Sequence, residues 1–302
     1  MRFLLDSGSD AGLDGRKRDF ERGLVRKLSV LIILALLLGA CGPASQSKGG
    51  YVVLSPEVAE ILCAIGAEEQ ISGVTAECDY PPSLASKYPV GNFSTVNKEA
   101  ILAMKPELVF CSALEQEGIA GELKKLGLKV IEVYPKSLGA LLNEINRLGK
   151  LTGHAAEAAQ LRTSMETAIK DIKTSNTGKA RPKVYLEIYR DPLMSVADSS
   201  LVGELIETAG GDNIFPTLER DYARVSAEAI IKAAPDIMIC YSQDTLANIR
   251  TRKGWQDIPA IKTGHIYFED SISPDLIQRA TPRSIEGMKA LQTAFSTWRE
   301  GR

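Results

Sequence analysis

One internal repeat constrains this chain more than any other feature. "NKEAILAMKPELVFC" (97–111) aligns without a gap on "SAEAIIKAAPDIMIC" (226–240). Glu99 falls on Glu228, Ile101 on Ile230, Pro106 on Pro235 and Cys111 on Cys240. A second pair, "AEILCAIGAEEQI" (59–71) and "GELIETAGGDNIF" (203–215), reads both times as a helix, a glycine stop and an acidic turn. A supersecondary unit carried twice predicts two similar lobes with a cleft between them.

The segments between the copies set the fold class. In the first half, short apolar runs at 51–54, 71–74, 108–111 and 129–133 alternate with helical patterns near 57–66, 98–105, 117–126 and 138–150. Apolar runs without polar alternation mark strands covered on both faces, hence a parallel sheet in an α/β lobe. From Gly153 a pattern of Ala158, Leu161, Met165, Ile169 and Ile172 predicts one helix of roughly 22 residues. "SNTGKARP" ends it, and a second α/β lobe starts at "KVYLEI" (183–188). That lobe continues through a helix near 200–209, strands at 237–240 and 266–268, and a last helix near 283–298. The reading is therefore α/β, two Rossmann-like lobes with mainly parallel sheets joined by one long α-helix. Its parts are 1–40, 41–50, 51–152, 153–178 and 179–302. At 302 residues the chain is long enough for two lobes with their own cores.

The first 40 residues are of another kind. Arg22, Arg26 and Lys27 precede an apolar stretch at 30–40, far shorter than the ~20 residues of a spanning helix, and small residues follow. Those are the marks of an export signal. "LGAC" (38–41) resembles the lipobox of bacterial lipoproteins, which implies that Cys41 is lipidated and begins the processed chain. Residues before Leu24 fit no signal, so translation is expected to begin near Leu24 or Val25. "GPASQSKGG" (42–50) reads as a tether. Of the remaining cysteines, Cys63, Cys78, Cys111 and Cys240 have neither CxxC nor disulfide-framework spacing, and Cys111 and Cys240 read as buried free thiols. Two histidines, His154 and His265, argue against a histidine-built metal site. A net charge of −2 gives no reason to expect nucleic acid.

Each repeated glutamate stands two residues after a capping residue, Asn97 or Ser226, in the first turn of a helix. A carboxylate there complements the helix dipole, worth about 0.3–1 kcal/mol, and that local role is sufficient by itself. Two related lobes would also present the pair to a partner with twofold symmetry. From Tyr51 onward the chain resembles the helical-linker (class III) solute-binding lipoproteins of ABC importers, closest to the vitamin B12-binding branch. "LSPEVAEILCAIGA" (54–67), "GVTAECDYPP" (73–82), "VGNFSTVNKEAILAMKPELV" (90–109), "GGDNIF" (210–215), "VSAEAII" (225–231) and "RATPR" (279–283) carry the resemblance. It implies that Glu99 and Glu228 dock on arginines of a dimeric ABC permease served by ATPase subunits, outside the cytoplasm and at a membrane holding the lipid anchor.

The resemblance further implies a ligand between the lobes, cobalamin or a related corrinoid, with an iron–siderophore or haem as the alternative. Its site residues fall on Phe93, Met194, Tyr222, Asp275 and Arg279. Each has a plainer role open to it. Met194 can fill a core gap, and Asp275 with Arg279, four apart, can be a surface ion pair. Two positions depart from the family: Glu77 and Ser112 stand where the B12 branch commonly has aromatic residues, which makes the pocket more polar. An enzyme is disfavoured, because the chain has no G-x-G-x-x-G after its first strand, no P-loop and no G-x-S-x-G. A continuous linker helix implies modest closure of the lobes.

Overall fold

The structure is a computed structural model that describes residues 49–301. The expected export signal, Cys41 and nearly all of the tether lie outside the described residues. Gly49–Arg302 forms one compact unit.

The first half contains β1 (Tyr51–Val53), α1 (Pro56–Ala64), β2 (Ile71–Val74), β3 (Tyr88–Pro89), α2 (Lys98–Met104), β4 (Leu108–Ser112), α3 (Glu117–Lys125), β5 (Val130–Val133) and α4 (Leu138–Thr152). The strands form one sheet in the order β3-β2-β1-β4-β5, and every pairing is parallel. β3 escaped the sequence reading because two exposed residues, one of them proline, carry no periodicity at a sheet edge.

The long helix expected from Gly153 is α5 (Ala155–Ser175), 21 residues and about 32 Å long. Gly153, at φ 83, turns the chain out of α4. Gly149 lets the two helices meet: a Cβ there would lie 2.3 Å from Ala158 Cβ. The connecting rod is therefore also one arm of a tight helical hairpin.

The second half runs β6 (Lys183–Glu187), β7 (Tyr189–Arg190), β8 (Leu193–Val196), α6 (Leu201–Thr208), β9 (Asp212–Asn213), β10 (Tyr222–Arg224) and α7 (Ala227–Ala233). It ends with β11 (Ile237–Cys240), α8 (Leu246–Thr251), α9 (Pro259–Thr263), β12 (Ile266–Tyr267), α10 (Pro274–Ile277) and α11 (Ser284–Glu300). A parallel sheet in the order β12-β11-β6-β9 repeats the β5-β4-β1-β2 order of the first half. A small antiparallel sheet, β10-β8-β7, is added to it.

The repeat holds at the level of backbone angles. Asn97 and Ser226 cap α2 and α7, accepting from the Ala100 and Ala229 amides at 2.9 and 3.1 Å. Both helices end on a non-glycine residue in the left-handed region, Lys105 (φ 48) and Ala234 (φ 53). The next residue is in each case a proline, which cannot continue a helix. Ile101 and Ile230 each anchor their short helix at zero exposure.

Strand alternation divides the core. Tyr51 and Val53 of β1, with Ile237 and Ile239 of β11, face the largest apolar cluster. Val52 and Leu54 turn to a smaller cluster with Val109 and Cys111, while Met238 and Cys240 turn to another with Tyr185 and Trp255. The largest cluster also takes in Met165 and Ile172 of α5, Leu205 of α6 and Phe295 of α11. The halves therefore do not own separate cores, as length alone had suggested. They share the central one, and only the outer faces of the sheets have their own. Cys111 and Cys240 are buried free thiols in those outer clusters, and burial pushes Cys111 up to about 12.

Candidate ligand cleft

In parallel α/β sheets the loops that follow the strands collect at one edge, and ligands bind there where the strand order reverses. In the first half that point lies between β1 and β4. Pro56 and Glu57 after β1, Ser112 at the end of β4, and Tyr134 after β5 all line a cavity of about 450 Å³. The second half closes it with Leu201 of α6, Tyr222 of β10, and Asp275 and Arg279 in and after α10.

Of the five ligand residues expected from sequence, the structure brings Phe93, Tyr222, Asp275 and Arg279 to this cavity, and Met194 is not among its lining residues. Position along β8 is the reason. Met194 shares a face with Val196, which stands opposite Tyr222, but it lies two residues away, half-buried opposite Tyr189 and Arg224. Ser195 takes the other face, its hydroxyl donating to the Leu186 carbonyl at 2.7 Å. Both departures from the family pattern, Glu77 and Ser112, are in the wall. They also do structural work. Glu77 Oε2 accepts from the Phe93 amide at 2.7 Å, and Gln116 Nε2 donates to the Phe93 carbonyl at 2.9 Å, so the loop bearing Phe93 is held at both ends. Gln116 Oε1 accepts from the Ser112 amide at 2.8 Å, and Ser112 Oγ bonds the Glu115 carboxylate.

Sequence reasoning missed Glu57, Glu115, Gln116, Tyr134, Lys136 and Asp221. Tyr134 and Lys136 follow directly after a strand that was read correctly, and position at a strand's carboxyl end was the available signal. Asp221 adjoins Tyr222, inside a small sheet too short to read.

The electrostatics follow from these neighbours. Burial, with repulsion from Glu115 adding to it, holds the Glu57 carboxyl above its ordinary value, although Ser55 Oγ donates to it at 2.6 Å. Burial also raises the Tyr134 phenol to about 12, and Glu115 and Asp221 push the same way. The Tyr222 phenol is raised by burial and by the same carboxylates.

Arg279 is no simple surface ion pair. Nη2 meets Asp275 at 3.1 Å, while Nη1 reaches across to the first half, to Asp79 at 3.0 Å and Glu60 at 3.4 Å. Arg283 sits beside it, donating from Nε and Nη2 to Glu60 at 2.7 and 2.6 Å with its guanidinium 3.8 Å from the Tyr80 ring centre. Lys136 of the first half pairs with Asp221 of the second at 2.9 Å. The cleft is thus flanked by contacts that tie the halves together.

Glu99 and Glu228 lie elsewhere, exposed in the first turns of α2 and α7, and no hydrogen bond or salt bridge among the described residues holds either carboxylate.

Comparison with known proteins places this geometry. The family described as periplasmic binding protein matches residues 52–272. An uncharacterized ABC transporter substrate-binding lipoprotein of Bacillus subtilis, YvrC, is 29% identical over 80% of this chain and 77% of its own. The vitamin B12-binding protein of Vibrio cholerae is 24% identical over 87% of this chain and 93% of its own. Among solved structures, the periplasmic vitamin B12-binding protein BtuF of Vibrio cholerae superposes with a TM-score of 0.72 at 22% identity, covering 83% of this chain and 98% of that one. The periplasmic haem-binding protein RhuT of Roseiflexus sp. RS-1 does so with 0.72 at 21%, covering 82% and 98%. With two repeated α/β halves, a long connecting helix and a cleft at the strand ends, the chain belongs to the periplasmic binding protein family, as a substrate-binding protein of an ABC importer.

Proposed function

We propose that this protein captures a corrinoid in the cleft between its halves and delivers it, without chemical turnover, to a dimeric ABC permease with its ATPase subunits. The carrying observation is the cavity of about 450 Å³ with ring systems from both sides, Phe93 and Tyr134 from the first half and Tyr222 from the second. A flat macrocycle needs such apolar platforms, and its amide side arms need donors and acceptors of the kind Gln278, Asp275 and Ser112 offer. Haem is the second reading, favoured by the haem-binding structural neighbour and by Tyr222 as a potential axial ligand. A tyrosinate ligand must lose its proton, and the burial and carboxylates around Tyr222 oppose that loss. Calorimetric titration of the full chain with cobalamin, cobinamide, haemin and a ferric siderophore separates the readings. Tight binding of haemin with no corrinoid binding refutes the first.

In this reading Cys41 carries the lipid anchor outside the cytoplasm, and Glu99 and Glu228 are the two docking acids. Their exposure, and the absence of a hydrogen bond or salt bridge to either carboxylate among the described residues, support that role. Glu99→Arg with Glu228→Arg is expected to abolish uptake into cells while leaving ligand affinity unchanged. Uptake at the parental rate would refute the docking role.

A further inference from the structure

The charge of the cleft carries the reading further, to the class of ligand it takes. Its lining holds five carboxylates, Glu57, Glu77, Glu115, Asp221 and Asp275, against two cations, Lys136 and Arg279. Both cations are already matched. Lys136 is neutralised by Asp221 at 2.9 Å. Arg279 is surrounded by Asp275, Asp79 and Glu60 within 3.4 Å. Neither is left with spare positive charge for a phosphate or carboxylate arm.

The other three acids meet only neutral donors in hydrogen bonds: Ser55 Oγ for Glu57, the Phe93 amide for Glu77, and Ser112 Oγ for Glu115. Those bonds fix the carboxylates without cancelling their charge. A solute entering the cavity is therefore met by an excess of negative charge from Glu77 and Glu115, held by the loops that position Phe93 and Ser112, with Glu57, whose burial disfavours its charged form, beside them. Water and salt screen such a field when the cleft is empty. A ligand that expels them meets it at low dielectric, where attraction and repulsion are both strengthened. Among the described residues no group of three or more His, Cys, Asp or Glu is placed to hold a bare metal ion. The acids fit an extended cation, whose charge is spread over a chelate.

We propose that the cleft selects a ligand of net positive charge, a cationic metal chelate such as a corrinoid without its phosphate-bearing arm, over neutral and anionic chelates. This rests on the reading that the cleft is the solute site.

The test sorts probes by charge within two chelate scaffolds, by calorimetry on the full chain. Cationic aquacobinamide is set against neutral dicyanocobinamide, and cationic ferrioxamine B against an anionic ferric tris-catecholate, with haemin added for its propionates. Aquacobinamide is expected to bind about tenfold tighter than the dicyano form, with the advantage shrinking as salt rises from about 0.05 to about 0.5 M. Glu77→Gln with Glu115→Gln keeps the acceptors for the Phe93 amide and Ser112. It is expected to weaken aquacobinamide about tenfold while leaving dicyanocobinamide within about twofold. The salt titration needs no variant, so misfolding of a mutant does not remove the test. Equal affinity for both cobinamides, insensitive to salt, overturns the charge selection and leaves corrinoid capture standing. Binding of ferrioxamine B with no corrinoid binding refutes corrinoid capture and upholds the charge selection. Preference for haemin or the tris-catecholate, or no binding by any probe, overturns both.

Discussion

Glu60→Gln tests the seam between the halves. Glu60 belongs to the first half, at 4% exposure on α1, and both its oxygens serve arginines of the second. Glutamine keeps one acceptor but turns an amide N–H₂ toward guanidinium donors. Arg279 still has Asp79 and Asp275, whereas Arg283 loses its paired carboxylate and keeps one amide acceptor, the Tyr80 ring and the more distant charge of Asp275. Removing one partner of a buried pair costs about 3–5 kcal/mol. Arg283 retains 16% side-chain exposure and its ring contact, so about 2–3 kcal/mol is expected here. At about 3 kcal/mol per molar urea, the unfolding midpoint falls by just under ~1 M. Urea titration of the full chain, read by Trp255 and Trp298 fluorescence, measures it. A double-mutant cycle with Arg283→Gln is expected to return a coupling above about 1 kcal/mol. A midpoint unchanged in Glu60→Gln, or two losses that simply add, would refute the seam as a source of stability.

Two further perturbations test the packing and the cleft. Gly149→Ala forces a Cβ to within 2.3 Å of Ala158 Cβ and 2.9 Å of the His154 carbonyl, so the α4–α5 hairpin must open, and equilibrium unfolding should show a loss of about 1–3 kcal/mol. For Glu57, the folded carboxyl lies above its unfolded value, so its contribution to stability is complete below the unfolded pKa and is lost as pH rises through the folded one. Glu57→Gln should therefore raise Tm at pH 7 and leave it unchanged below about pH 4, as thermal melts at the two pH values will show.

What was legible in the sequence was whatever is local or repeated. The positions of β4, β11, α2 and α7 follow from apolar runs closed by Pro106 and Pro235, and duplication made each copy a check on the other. The small antiparallel sheet was illegible because β7, β8 and β10 are too short for alternation to stand out. The cleft was half legible. Phe93 and Tyr222 were reached through a family resemblance, but Glu115, Tyr134 and Lys136 belong to no periodic pattern and matter only because the sheet order brings their loops together. Met194 is absent from the cavity lining because the register sets it opposite Tyr189 and Arg224, two positions along β8 from the Val196–Tyr222 pair, and register is a property of the assembled sheet.

The seam was the least legible feature, and the repeat explains how it is built. Aligning 59–71 on 203–215 puts Glu60 on Glu204. Glu60 on α1 reaches Arg283 at the N-cap of α11. Glu204 on α6 accepts from the Leu138 amide at the start of α4, at 2.6 Å. The same acid of each copy thus crosses to the first residues of a helix in the other half, once through an arginine and once through a bare amide. Separations of 223 and 66 residues hide both contacts from any local pattern. Together with the shared apolar cluster beneath them, they fasten the halves at two equivalent points. Wide hinge opening would have to break both clamps and expose that cluster.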